Sequence, residues 1–275
     1  MKTWICTLAV FVVVPAVKGE LPHIDAGENR GCFAIHESSR YDFQMKHTGE
    51  MTVIPKRRKL GPVAVANRIR IEYGIEELQP DGSAVFKKTL DGSLASTEKA
   101  SDDFSRLTFQ ARTTGEAVYE VIIEQSRNVI SLGGRVVDAG ELDESHLRFA
   151  LRIVVPNVYR NVQFKGDKDL RAYEKRTRSD YLRLVRIDGS RQNLDNDHVK
   201  AVDGPNLTGS GIEEIETRFS YYEGRRFFFK ADKGSGMAIS QGRSAGPWFE
   251  GFTVNWHTDT TTGPVGKSRL HLSVR

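Results

Sequence analysis

Cysteine is almost absent from this chain: Cys6 and Cys32 are the only two in 275 residues. Cys6 falls in an apolar N-terminal segment, so a processed chain keeps Cys32 alone and can form no internal disulfide. Its stability must then come from a buried core. Cys32 stands beside Phe33 and Ile35, a setting for a buried inert thiol and not for a nucleophile, which needs an activating base. Long apolar runs are missing after the first nineteen residues, so no later segment has membrane length. The seven histidines are scattered, with no His-Glu-x-x-His. Gly263-Pro264-Val265-Gly266-Lys267-Ser268 is not a phosphate loop. Its glycines are too close together, and no helix start follows to receive a phosphate.

Charge of one sign is also scarce. Lys and Arg number 40 against 36 Asp and Glu, a net charge of +4. Lys2 and Lys18 belong to the first nineteen residues, so their removal leaves +2. That thin excess is spread along the chain and is not a nucleic-acid footprint. The densest cluster is Lys56-Arg57-Arg58-Lys59, between Pro55 and Pro62. It reads as a solvated loop, or, on an exported protein, as a contact for acidic polysaccharide or a cell surface.

The first nineteen residues have their own logic. Lys2 precedes an apolar run, Ile5–Val14, and Val17 and Gly19 are the small residues before a cleavage point at Glu20. A secretory signal over residues 1–19 is expected, and with it a secreted or periplasmic location without a membrane span after cleavage.

What remains is strand. From Arg106 to Val155 four segments alternate polar and apolar residues, the last placing Leu147, Phe149, Leu151, Ile153 and Val155 opposite Arg148 and Arg152. A two-residue period puts one set on each face of a strand. Turns as short as Thr113-Thr114-Gly115 and Ser126-Arg127-Asn128 join antiparallel neighbours, so the run is expected to be a meander. Gly133-Gly134 inside the third segment is expected to mark a bulge or bend. Ile69, Ile71, Tyr73 and Ile75 alternate as cleanly, and Asp-Gly-Ser turns recur at Asp81, Asp91 and Asp188. Further strands are expected at Cys32–His36, Tyr41–Lys46, Met51–Ile54, Ala84–Leu90, Tyr181–Ile187, Thr217–Tyr222, Arg225–Ala231, Phe249–His257 and Arg269–Val274. Helix is limited to a turn or two in Leu94–Phe104 and a charged peripheral helix in Asp167–Arg178, capped by Asp167 or Asp169.

The expected fold is therefore all-β: a large antiparallel two-sheet β-sandwich of the supersandwich kind, with little helix. Residues 20–275 form one such domain, or two sandwiches parted in the charged stretch 166–180. By architecture alone the chain resembles the large sandwiches of sugar mutarotases and some polysaccharide-processing enzymes. That resemblance concerns fold and carries no function.

Chemistry is concentrated in two places. Asp195-Asn196-Asp197-His198, with Asn193, spaces oxygen donors as a calcium loop does, which makes Asp195 and Asp197 the candidate Ca²⁺ ligands. A polar turn fits better, because His198 stands where that loop needs Gly and no Glu lies at the twelfth position. The other place is Trp248–His257. Phe252, Val254 and Trp256 share one strand face, Thr253, Asn255 and His257 the other, and Trp248 and Glu250 precede the Gly251 break. Trp248, Glu250, Asn255 and His257 would suit a sugar, with an indole for its C–H face and polar groups for its hydroxyls. Both tryptophans as core residues is the competing reading. Asn206-Leu207-Thr208 is a glycosylation sequon, of consequence in a eukaryotic host.

The expected function is an exported carbohydrate-interacting protein. The enzyme alternative is an epimerase, mutarotase, lyase or glycosidase with His257 and Glu250 as acid and base; the remaining alternative is a structural or adhesive envelope protein. Spacing in sequence assigns no catalytic carboxylate pair.

Overall fold

A computed structural model describes residues 20–159, 167–195, 211–233, 235–240, 251–258 and 267–275. The expected signal segment lies outside them, as do Asn206, Asp197, Trp248 and Glu250. The described chain builds two antiparallel eight-stranded sheets. Among the described residues no helix is long and apolar enough to cross a membrane.

The first sheet contains β1 (Cys32–Glu37), β2 (Tyr41–Lys46), β3 (Met51–Pro55), β4 (Ile69–Leu78) and β5 (Ala84–Lys88). The second receives β6 (Arg106–Arg112), β7 (Val118–Ser126) and β8 (Val129–Asp138). With β9 (Leu147–Val155) the chain returns to the first sheet, and a helix, α1 (Asp167–Thr177), follows. The second sheet then gains β10 (Tyr181–Arg186), β11 (Arg191–Asp195), β12 (Ile212–Phe219) and β13 (Arg225–Ala231). Finally β14 (Gly236–Ser240) and β15 (Phe252–His257) complete the first sheet, and β16 (Leu270–Val274) enters the second between β13 and β8. Both sheets thus draw strands from either side of residues 166–180.

Alternation explains the layers. On β15, Phe252, Val254 and Trp256 are buried, while Thr253, Asn255 and His257 are half-buried on the outer face. Their inward-facing counterparts on β9, β4, β7 and β16 join one apolar cluster extending from Leu21 to Val274. β9 packs on β8, and β14 on β12, to close the sandwich. Trp256 is a core residue, 1% exposed, and its indole N–H donates to Ser235 Oγ at 2.9 Å. Cys32 is buried, and burial pushes its thiol pKa up, away from the reactive thiolate.

Several expectations change. The meander stops at three strands: β6, β7 and β8 pair in succession, but β9 lies between β4 and β15 in the opposite sheet. Ten-residue alternation reads the same in either layer, so the period could not reveal the crossing. Gly133 and Gly134 stay in register with Ile122 and Val121, with no bulge at that point. They serve close approach instead. A Cβ on Gly134 would stand 2.6 Å from the Phe149 ring, and one on Gly133 2.8 Å from the Arg269 side chain. Residues 94–104 hold no helix; this segment is tied by isolated bridges, Ala95 to Gln110 and Ser101 to Ala34. Arg191–Asp195, which is not among the expected strands, pairs with β10. β12 begins at Ile212, ahead of the expected Thr217, and Ser220–Tyr222 is a 3-10 turn.

A buried carboxylate anchors that turn. Asp180 Oδ1 accepts from Ser220 N–H at 2.6 Å and Ser220 O–H at 2.5 Å, and Oδ2 accepts from the Tyr159 hydroxyl. The side chain is fully buried, and this burial pushes its pKa up.

Candidate functional site

The cleft in the first sheet begins as a gap in strand pairing. β3 covers one edge of β4 from Ile69 to Ile71, and β5 covers the same edge from Gly74 to Leu78. Glu72 and Tyr73 fall between these partners. At this gap opens a cleft of about 560 Å³. Its walls are the β2–β3 turn (His47, Thr48, Gly49, Glu50) and the segment after β5, from Lys88 to Leu94. Arg70, Glu72 and Phe86 complete the polar and aromatic lining.

Both walls are fixed from below. Tyr73 O–H donates to the Gly49 carbonyl at 3.0 Å. Gly49 has φ +88°, and a Cβ there would strike the Tyr73 hydroxyl, so glycine is required. The Tyr119 hydroxyl bonds Thr89, and Leu90 N–H donates to the Arg112 carbonyl at 2.8 Å. Burial pushes the Tyr73 and Tyr119 phenols up, so both stay protonated. They act as struts for the cleft.

His47 has a defined tautomer. Its Nδ1 lies 2.7 Å from the Gly31 carbonyl oxygen, which can only accept, so Nδ1 carries the hydrogen. Nε2, the other ring nitrogen, faces Glu20 Oε2 at 3.5 Å. Glu20 is placed by its neighbour: Leu21 is 1% exposed and its N–H donates to the His47 carbonyl.

From Glu72 in the cleft lining a row of side chains runs across the outer sheet face. Glu72 pairs in register with Arg152, which pairs with Asn255. Side chains of facing residues share a face, so these three form a row about 10 Å long. The Arg152 guanidinium lies 4.0 Å from the centre of the Phe86 ring, and its buried Nε has no hydrogen-bond partner among the described residues. The neighbouring row is shallow: His257 faces Ala150, which faces Gly74. A Cβ on Gly74 would stand 2.5 Å from the Lys87 carbonyl, so only glycine lets β5 and Phe86 close over this row.

Of the four residues picked from sequence, Asn255 and His257 lie on this face, with Asn255 Nδ2 donating to Ser240 Oγ at 2.9 Å. Trp248 and Glu250 lie outside the described residues. Asp195 ends β11 and Asp197 is not described; among the described residues no group of three His, Cys, Asp or Glu side chains could hold a metal ion. Sequence reasoning missed His47, Glu72, Phe86 and Arg152. Each sits in an ordinary strand or turn pattern, and only the pairing of β4 with β3, β5 and β9 brings them together. Arg152 was legible as outward-facing, but its neighbours were not.

A second polar chain lies on the outer face of the second sheet. Ser131 Oγ is 2.9 Å from His271 Nδ1, and His271 Nε2 is 3.0 Å from Asp232 Oδ1. These are the side-chain types of a nucleophilic triad. Ser131, however, is mid-strand between β7 and β16, its backbone engaged in ladders, and it does not line the cleft. The chain acts as a staple between β8, β16 and the turn after β13. The sequence matches no protein-family model, and no curated protein matches it.

Proposed function

We propose that this protein is exported and binds carbohydrate through the cleft on β4 and the row of side chains that runs from it toward β15. The observation that carries this reading is the lining itself: Phe86 supplies apolar surface beside Glu72, Arg70, Lys88 and Asp91. A sugar offers C–H surface and a rim of hydroxyls, each able to donate and accept. Carboxylates accept from those hydroxyls and cationic groups donate to them, while an aromatic ring covers the C–H surface. The row Glu72–Arg152–Asn255 extends the same chemistry over a length suited to more than one sugar ring. Export rests on the N-terminal segment alone.

The test is glycan-array screening followed by affinity electrophoresis on the glycans retained. Phe86→Ala and Glu72→Ala are expected to weaken retention by about 1–3 kcal/mol each, roughly ten- to a hundredfold. Retention unchanged in both variants would remove the cleft as the binding site, and an array without any signal would remove the proposal.

One observation favours an enzyme as the second reading. His47 presents its Nε2 to the Glu20 carboxylate at the cleft wall, 3.5 Å away, and an imidazole facing a carboxylate is the side-chain pairing of general acid–base catalysis. On that reading His47 and Glu20 take the roles that sequence gave to His257 and Glu250. Turnover of a retained glycan, lost in His47→Gln with binding intact, distinguishes catalyst from binder.

A further inference from the structure

The loop between β3 and β4 displays its side chains for a reason visible in its backbone. Glu223, in the left-handed conformation at φ 56°, reaches across from the end of the 3-10 turn. Its carboxylate accepts from three successive amides: Arg58 at 2.7 Å, Lys59 at 2.6 Å and Leu60 at 2.9 Å. Consecutive N–H groups converging on one anion make a nest, and here the anion belongs to the protein itself. With their amides turned inward to Glu223, residues 58–60 are all exposed.

The second sheet adds charge to this loop. Arg225 Nε donates to the Lys56 carbonyl at 3.2 Å, and Lys56 N–H donates to the Arg40 carbonyl at 2.8 Å. Burial, and then the nearby Arg58 and Arg40, push the Arg225 pKa down, as expected for guanidinium groups gathered at one place. Arg57 gives its hydrogen bonds to the carbonyls of Gly61 and Pro62, and its charge is near enough to Glu223 to act on that carboxylate. Lys56 is ion-paired with Asp42 at 2.8 Å. Glu223, the other nearby carboxylate, is occupied by backbone.

Two aliphatic side chains project from the same loop: Leu60 is 60% exposed and Val65 72%. Among the described residues only Ile187, at 66%, is a large hydrophobic exposed to a comparable degree. A soluble polyanion has a use for the cations but none for these side chains. An anionic bilayer takes both, its headgroups meeting the guanidinium groups and its acyl boundary the aliphatic tips.

We infer that the loop 57–65, held open by Glu223 and flanked by Arg40 and Arg225, docks the protein peripherally on an anionic phospholipid surface. β3 runs from this loop to the cleft, a separation of about 17 Å at the usual strand rise. Docking therefore leaves the cleft clear of the headgroups. The inference does not depend on what the cleft binds.

Sedimentation of the full-length protein with phosphatidylcholine vesicles, with and without phosphatidylglycerol, tests it. The difference between the two vesicles removes any contribution of the apolar N-terminal segment, which all variants share. Binding to the anionic vesicles is expected to fall with added salt and to drop at least about tenfold in Arg58→Glu/Lys59→Glu. Leu60→Ser/Val65→Ser should weaken vesicle binding while leaving retention on dextran sulfate unchanged. All four substitutions are at exposed side chains, and an unchanged melting curve verifies the fold. Equal binding to both vesicles overturns the inference. So does vesicle binding by Leu60→Ser/Val65→Ser equal to that of the parent, which would assign the loop to polyanions in general.

Discussion

At the scale of single residues, the positions most sensitive to change are those where a side chain is missing or hidden. Gly74→Ala would bring a methyl group to 2.5 Å from the Lys87 carbonyl, a backbone atom that cannot turn aside. A cost of about 1–3 kcal/mol is expected in urea unfolding, together with loosening of β5 and weaker glycan retention. Asp180→Ala would leave Ser220 N–H, Ser220 Oγ and the Tyr159 hydroxyl without their acceptor, for about 2–4 kcal/mol. Asp180→Asn keeps an acceptor and removes the charge. Burial raises the Asp180 pKa above its ordinary 3.8, outweighing the three donors that favour the charged form, so losing the charge costs less in the folded site than in the unfolded chain. The contribution of the protonated form is full below that ordinary value and declines as pH rises through the folded one. The parent is thus expected to gain stability relative to Asp180→Asn as pH falls from neutral toward 4. A gap between the two that stays constant with pH would contradict the assigned burial. These sites were the least legible in the sequence. A glycine in a strand announces an exception without saying whether it is a bulge or a close approach, and Asp180 looked like the end of a charged stretch until its three donors were in place.

At the scale of elements, a clean two-residue period located strands well. Tyr41–Lys46 and Arg225–Ala231 have the bounds their alternation predicts. The misses share a cause. β11 reads Arg-Gln-Asn-Leu-Asp, with Leu194 alone buried among its described side chains, so its pairing with β10 supplies what its composition lacks. β14 is a short strand beginning at Gly236, with no alternation long enough to count. Partner choice is a property of the sheet, and alternation is a property of the segment. The Glu223 clasp is likewise invisible in sequence, because it joins residues 163 to 165 positions apart. Its bonds from the Arg58, Lys59 and Leu60 amides hold the carboxyl pKa below its ordinary 4.5. A depressed carboxylate stabilises above its ordinary value and loses that contribution as pH falls through the depressed one. The Arg58–Leu60 amide resonances should shift together on acidification, with a midpoint below 4.5; a midpoint at or above 4.5 would mean the clasp is open in solution.

At the scale of the molecule, two sheets share one core, and Trp256 sits in it with its indole satisfied by Ser235. Trp256→Ala is expected to cost about 3–5 kcal/mol, measured by urea unfolding, the loss typical of a large buried ring. The all-β sandwich was legible because its signal, alternation, recurs along most of the chain. The site was legible only in part. Asn255 and His257 were found because they alternate with a core-facing set, whereas Glu72, Arg152 and Phe86 become neighbours through an interruption in pairing along β4. The claim on which the functional account rests is that this interruption is a binding cleft. Hydrogen–deuterium exchange with and without a glycan retained on the array addresses it directly. Added protection confined to the β2–β3 turn, residues 70–74 and residues 86–94 is the predicted result. Protection confined to other surfaces, with these segments unchanged, would contradict it.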